Sequence, residues 1–373
     1  MLIAEDTYTY NIIGRRLAEV WQGLSVPNDE LTSIATASTG AGWGMNYLVG
    51  GIYYVFGQSI IVAQSFCAVV GAATAPMIYY CAKNLFNNKK VSEISAIAVA
   101  VFPSLIIWSS QLLKDGLIIF LLVFTMTMVL QLQKKFGFLA ITGLIFALFG
   151  ILSLRFYIFY MVVISVVGSF VVGLGDSGKA IVRNTMVVVL IGLGLTYLGV
   201  LHNASTEFDT FGSLERIQRS RRDLAGRATS GYEADLDVST SAGAIAAVPI
   251  GLAYLMLAPF PWQISNYRQT ITLPEVLLWW SLIPLLIMGL WYTIKNRLRT
   301  SIPILLFTLM LTLSYSIFQG NVGTAYRQRA QIQVFFIIFI AVGWRVLREK
   351  KENQQMVKQI KRQRLNQRLQ KQT

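Results

Sequence analysis

The sequence predicts an all-α fold: a polytopic transmembrane helical bundle of about nine spans, with interfacial helices on its extracytoplasmic side. Three observations predict it. Of the 373 residues, 54% are hydrophobic and 13% charged, with a mean hydropathy of +0.55, which is too apolar for a surface that faces only water. Nearly uncharged runs of about 17 residues or more recur along the chain, close to what a hydrocarbon core of about 30 Å demands of a helix. The net charge of +14 sits mostly in short connectors and in the tail. That is the pattern of membrane topology, and it excludes nucleic acid as a partner.

Taken in order, Met1–Ala4 is too short for a signal-peptide core and runs straight into Glu5 and Asp6. Tyr8, Ile12, Ile13, Leu17, Val20 and Trp21 then recur at helical spacing, with Asn11, Arg15, Arg16 and Glu19 opposite, which predicts an amphipathic helix lying on the membrane. Met45–Phe56 is apolar but too short to cross. The nine spans are expected near 60–82, 94–111, 116–133, 136–153, 156–173, 184–201, 276–294, 302–318 and 331–347. The apolar stretch Ala244–Trp262 is interrupted by Pro249, Pro259 and Pro261.

Charge decides whether that stretch crosses. If it stays outside, 20 of the 32 Lys and Arg residues fall on the cytoplasmic side, and only 10 if it crosses. The positive-inside rule prefers the first arrangement, with the acid-bearing loops facing outward. The chain then divides into an extracytoplasmic loop (1–59), a transmembrane core (60–201), a second extracytoplasmic loop with a non-spanning apolar segment (202–275), C-terminal spans (276–347) and a basic cytoplasmic tail (348–373). No solenoid-type repeat is visible.

Cys67 and Cys81 lie in one apolar run and His202 is the single histidine, which leaves no disulfide framework and no zinc cluster. Spans almost without internal charge argue against an ion-coupled transporter. The charges stand instead at the outer edge: Glu5 and Asp6 ahead of the amphipathic helix, Asp115 at the start of a span, Arg155 between two spans, and Tyr326, Arg327 and Arg329 before the last. Carboxylates and guanidinium groups in one outer-leaflet plane suit chemistry on a lipid phosphate. In sugar transfer, one carboxylate takes the acceptor's hydroxyl proton while cations stabilise the departing phosphate. A single carboxylate fits one displacement with inversion. Blander roles stand beside these: Asp6 and Asp115 as helix caps, and Arg155, Arg327 and Arg329 snorkelling to headgroups. The five arginines at 216–227, interleaved with acids, read as a solvated, self-paired loop. Asn203-Ala-Ser205 fits a glycosylation sequon.

The order and spacing of several segments carry a resemblance over roughly residues 4–175. They are Glu5-Asp6 with Tyr8, Leu17-Ala-Glu-Val-Trp21, Tyr47 through Tyr53-Tyr-Val-Phe-Gly57, Ala82-Lys-Asn-Leu-Phe86, Phe102-Pro103 to Trp108-Ser-Ser, and Leu112-Leu-Lys-Asp115. In these the chain resembles the GT-C membrane glycosyltransferases, in the neighbourhood of family 39 (the dolichyl-phosphate-mannose protein mannosyltransferases) and bacterial lipid-linked sugar transferases. The resemblance implies a GT-C-like bundle in the bacterial cytoplasmic membrane, with an outward active site whose first loop supplies the catalytic carboxylate, here Asp6 with Glu5 beside it. Asp115 would be the acidic position at a later span, Arg155 the basic position after a span, and Arg327, Arg329 and Tyr326 would face the donor phosphate. The implied donor is a polyprenyl-phosphate-linked sugar, and the acceptor a glycan, lipid or protein. Some members hold a divalent metal ion near the acidic loop, for which Glu5, Asp6 and Asp115 would be the ligands. Such enzymes also carry a span before that loop, so the expectation is a sequence lacking this first span. Two rivals stay open: an O-antigen or exopolysaccharide polymerase or ligase that uses the arginine-bearing loop 202–243, and a non-enzymatic membrane subunit or lipid-linked sugar flippase.

Overall fold

The computed structural model describes residues 5–24, 27, 34, 42–172, 178–197, 213–226, 231, 237–264 and 267–370. His202, the sequon at Asn203 and Arg227 lie outside them, as does the side chain of Glu5. Among the described residues the regular structure is helical, apart from one isolated antiparallel bridge between Gly231 and Asn321.

The chain opens with α1 (Glu5–Trp21), which packs on α2 (Gly44–Phe56). The expected amphipathic helix is present, but with two apolar sides. Leu17 and Ala18 are buried against the protein, whereas Tyr8, Ile12, Val20 and Trp21 stay exposed. Two residues expected on the solvated face are used inside. Asn11 Oδ1 accepts a 2.6 Å hydrogen bond from Tyr53 Oη. Glu19 is buried, with donors from Arg15, Arg16 and Gln58. The short apolar run Met45–Phe56 supplies the partner helix that makes this possible.

Then follow α3 (Ile60–Ala72), α4 (Thr74–Phe86), α5 (Lys89–Val101), α6 (Pro103–Ser109), α7 (Lys114–Lys134), α8 (Phe138–Leu154), α9 (Phe156–Val172) and α10 (Gly178–Tyr197). The second half holds α11 (Leu214–Gly226), α12 (Ser241–Leu257), a 3-10 turn at Pro261–Gln263, the 52-residue α13 (Tyr267–Phe318) and the 49-residue α14 (Val322–Gln370). Among the described residues, four helical stretches are long and apolar enough to cross a membrane: Ile60–Phe86, Lys114–Lys134, Gln269–Phe318 and Val322–Gln363. The pair α5 and α6, bent by 57°, makes a fifth if it is one span. Pro103 at the first helical position of α6 explains the break, because proline has no N–H to continue the α5 ladder.

The expected count of nine is therefore not borne out. The runs 276–294 and 302–318 lie in two helical segments of α13 that meet at a kink in the basic connector, where Arg297 is non-helical (φ −139°, ψ 23°). The apolar helices at 138–154, 156–171, 181–194 and 241–257 are each 17 residues or shorter. Pro249 does not interrupt Ser241–Leu257, which ends only ahead of the cis Ala258–Pro259 bond. One continuous apolar core runs from Ala18 to Val342, so early and late helices share it. The chain is an integral membrane protein on this architecture.

At the centre α13 packs along α14. Gly289 lies against the Phe339 carbonyl and Gly343 against the Leu285 carbonyl, so no side chain fits at either position. Small residues that let backbones meet are the usual means of joining helices in lipid, where water supplies no apolar driving force.

Candidate active site

Asp115 occupies the first turn of α7, where the helix dipole favours an anion. Its side chain is completely buried and its two oxygens are divided between two arginines. Arg155 Nη2 lies 2.7 Å from Oδ1, and Arg327 Nε lies 2.6 Å from Oδ2. Arg155 sits in the extended link between α8 and α9, so its side chain leaves neither helix surface but turns into the core. There its Nη1 also donates to Tyr157 Oη at 3.2 Å, and its side chain is only 6% exposed. The snorkelling role does not apply to it. Nor does Asp115 cap α7, whose N-cap is Leu113.

Arg327, in the second turn of α14, joins this buried pair to the surface. Its Nη2 donates to Asp6 Oδ2 at 3.0 Å, and the Asp6 side chain is half exposed. Residues 6, 115, 155 and 327 thus form one chain of alternating charge. Tyr10, one turn after Asp6 on α1, faces the same cluster. Burial first, and Asp6 next, push its phenol up to about 12. Lys114 reaches the backbone of Gly42 from the other side: a Cβ at that glycine would meet Lys114 Nζ at 3.0 Å, and its φ of +84° already favours glycine.

Arg329 and Tyr326 do not join the cluster. In a helix, two residues two positions apart point about 200° from each other, so Arg327 and Arg329 cannot face one site. Arg329 is fully buried and donates through Nη1 to the carbonyls of Met256 (3.1 Å) and Ala258 (2.9 Å). Its guanidinium stacks 4.9 Å from the Tyr326 ring, which packs edge-on against Trp108. The last carbonyls of a helix lack partners within it. Here Arg329, Trp279 (Nε1 to Met256 O, 2.9 Å) and Trp280 (Nε1 to Leu257 O, 3.0 Å) supply them for α12. The Pro259-Phe-Pro-Trp262 and Gly320–Arg327 segments meet at this helix end, where Ala258 packs on Val322.

A divalent ion does not fit the described donor set. Both Asp115 oxygens already take guanidinium donors, and Arg327 stands between Asp115 and Asp6 where a cation would have to lie. Among the described residues no group of three His, Cys, Asp or Glu side chains converges. The expected self-paired arginine loop is also different in kind. Arg221 is buried and donates to the carbonyls of Ile317 and Gln319, which ties α11 to the end of α13.

An apolar groove of about 320 Å³ is lined by Gly116, the residue after Asp115 in α7, together with Ser109, Ala68, Ala72, Val99 and Ile106.

No family model matches the chain, and no curated protein does. Among solved structures the chain is similar to an oligosaccharyltransferase of the archaeon Archaeoglobus fulgidus, AglB, in complex with an inhibitory peptide and a dolichol-phosphate. The TM-score is 0.48 at 13% identity, covering 86% of this chain and 44% of that one. The apo form of the Archaeoglobus fulgidus oligosaccharyltransferase gives 0.46 at 13% identity, covering 85% and 44%. This chain spans less than half the length of those proteins.

Sequence reasoning named Asp6, Asp115, Arg155 and Arg327, and all four are in one network. It missed Tyr10, which its position four residues after Asp6 could have flagged, and Lys114, which stands next to Asp115 in the chain.

Proposed function

We propose that the chain is a GT-C-like membrane glycosyltransferase that moves a sugar from a polyprenyl-phosphate-type lipid donor to a glycan, lipid or protein acceptor on the extracytoplasmic face. The observation that carries this reading is Arg327, which bridges a half-exposed carboxylate at one end of the chain and a fully buried carboxylate in its middle.

The roles follow from exposure. Asp6 Oδ2 is held by Arg327, which leaves Oδ1 to take the proton of the acceptor hydroxyl. As that oxygen bonds to the anomeric carbon, the bond from this carbon to the phosphate oxygen breaks and the phosphate leaves with the electron pair. Arg327, at the rim, meets the growing negative charge on the phosphate. Asp115 and Arg155 are positioning residues: buried and mutually bonded, they fix the guanidinium of Arg327 before the donor arrives. The apolar groove lined by Gly116, the neighbour of Asp115 in α7, suits a lipid chain whose phosphate lies at Arg327. Attack on the sugar by the acceptor itself gives inversion. This reading places the site outside, the tail inside and the protein in a bacterial inner membrane.

The test is reconstitution of the purified chain in proteoliposomes with a radiolabelled polyprenyl-phosphate sugar and a set of glycan, lipid and peptide acceptors. The proposal expects label on an acceptor with release of the lipid phosphate. Movement of the donor between leaflets without transfer, or elongation of a lipid-linked polymer alone, would overturn it in favour of a flippase or a polymerase.

A further inference from the structure

A second polar cavity lies at the other end of α7. From Asp115 to Lys134 this helix rises about 28 Å at about 1.5 Å per residue, so the cavity stands roughly one hydrocarbon thickness from the candidate active site. Its volume is about 460 Å³, within the range of small-molecule sites. Four cations line it: Lys134 at the end of α7, Arg183 on α10, and Arg297 and Arg299 at the kink of α13. The remaining polar wall is amide and hydroxyl, including Asn84, Asn87 and Thr300, and among the described residues no carboxylate lines it.

The arrangement is built rather than incidental. The irregular backbone at Arg297 turns the basic connector toward the cavity instead of continuing the helix surface. Asn87 ends α4 in a left-handed conformation (φ 52°), which brings the chain to the cavity edge. Lys134 Nζ donates to Asn84 Oδ1 at 3.2 Å, and Arg183 Nη1 to the Lys134 carbonyl at 3.3 Å, so helices α4, α7 and α10 are tied around the opening. Among the described residues none of the four cations forms an ion pair. Like charges gathered from three helices repel, and an anion between them removes that cost.

We propose that this cavity binds a phosphate group. Arginines deliver paired N–H donors to phosphate oxygens, lysine adds a point charge, and the Asn side chains add neutral donors. The same chemistry serves the headgroup of an anionic lipid in the adjoining leaflet and a free phosphate from the aqueous side. This site is separate from the transfer chemistry proposed above and does not rest on it.

The full-length protein is tested in two arms. In one, it is placed in nanodiscs of phosphatidylcholine with or without phosphatidylglycerol, and retained lipid is counted by native mass spectrometry. In the other, inorganic phosphate is titrated in neutral detergent while the thermal midpoint is followed. Binding in the lipid arm assigns the site to a headgroup, and binding in the phosphate arm to a free anion. Arg297→Gln with Arg299→Gln weakens the binding by about tenfold or more, as loss of charge-assisted donors requires. Lys350→Gln with Lys351→Gln, in the exposed tail, leaves it unchanged. Arg183→Gln gives an independent loss should the double variant not fold. Absence of binding in both arms, or equal loss from the pocket and tail variants, overturns the proposal.

Discussion

Replacing Asp115 by Asn tests the frame of the site without changing its shape. The carboxamide keeps one acceptor oxygen but turns an NH2 group toward a guanidinium donor, so one arginine loses its partner and both lose the neutralising charge. Asp115 is fully buried and Arg155 is 6% exposed, so neither charge can recover hydration. Removing one partner of a buried ion pair costs about 3–5 kcal/mol, or between two and four powers of ten in the folding equilibrium. The contrast is Asp6→Asn. Its carboxylate is 50% exposed, and an ion pair at such a position contributes about 0–1 kcal/mol. Reversible unfolding in mixed micelles titrated with dodecyl sulfate, followed by circular dichroism, measures both variants. A cycle with Arg155→Gln should show a coupling of at least about 1 kcal/mol between residues 115 and 155. The reasoning is refuted if Asp115→Asn lies within about 1 kcal/mol of the parent, or if Asp6→Asn costs as much.

Other consequences are open to the same kind of test. The Glu19 carboxyl is held down at about 2 against an ordinary 4.5, by the hydrogen bond from Arg16 foremost and then those from Arg15 and Gln58, with burial acting the other way. Because the folded value is the lower one, this contribution to the packing of α1 is complete above pH 4.5 and is lost as the pH falls toward 2. Trp21 fluorescence should follow that loss, and Glu19→Gln should remove the pH dependence. Gly343→Val drives a side chain into the Leu285 carbonyl and should separate α13 from α14, giving a large loss of stability in the same unfolding titration. Cys67 and Cys81 are buried, so single cysteines report sidedness cleanly. An impermeant maleimide added outside intact cells should label Asp6→Cys and spare Lys295→Cys, and the opposite pattern would invert the topology.

The helical class was legible because lipid demands long uncharged runs, and those runs are plain in the sequence. The number of crossings was not. Composition could not show that the apolar helices at 138–154, 156–171, 181–194 and 241–257 stop at 17 residues or fewer, or that Pro103 breaks another. Four charged site residues were legible because ionisable groups are scarce near the membrane, which makes each one informative. Arg329 was misplaced although the helical period alone separates it from Arg327. Residues 319–330 follow an apolar run and look like a loop in the sequence, whereas α14 already begins at Val322. The pattern of α1 places Asn11 and Glu19 on its polar face but cannot show that Tyr53 and Gln58 meet that face.

The central claim is that Asp6 carries the proton in sugar transfer while the buried charges behind it hold the cation. Transfer by Asp6→Asn protein, measured beside the parent in the same proteoliposomes at equal donor occupancy, tests this most directly. The account predicts loss of turnover with insertion, folding and donor binding preserved. Turnover equal to that of the parent would remove Asp6 from the chemistry and leave the four-residue network a structural feature only.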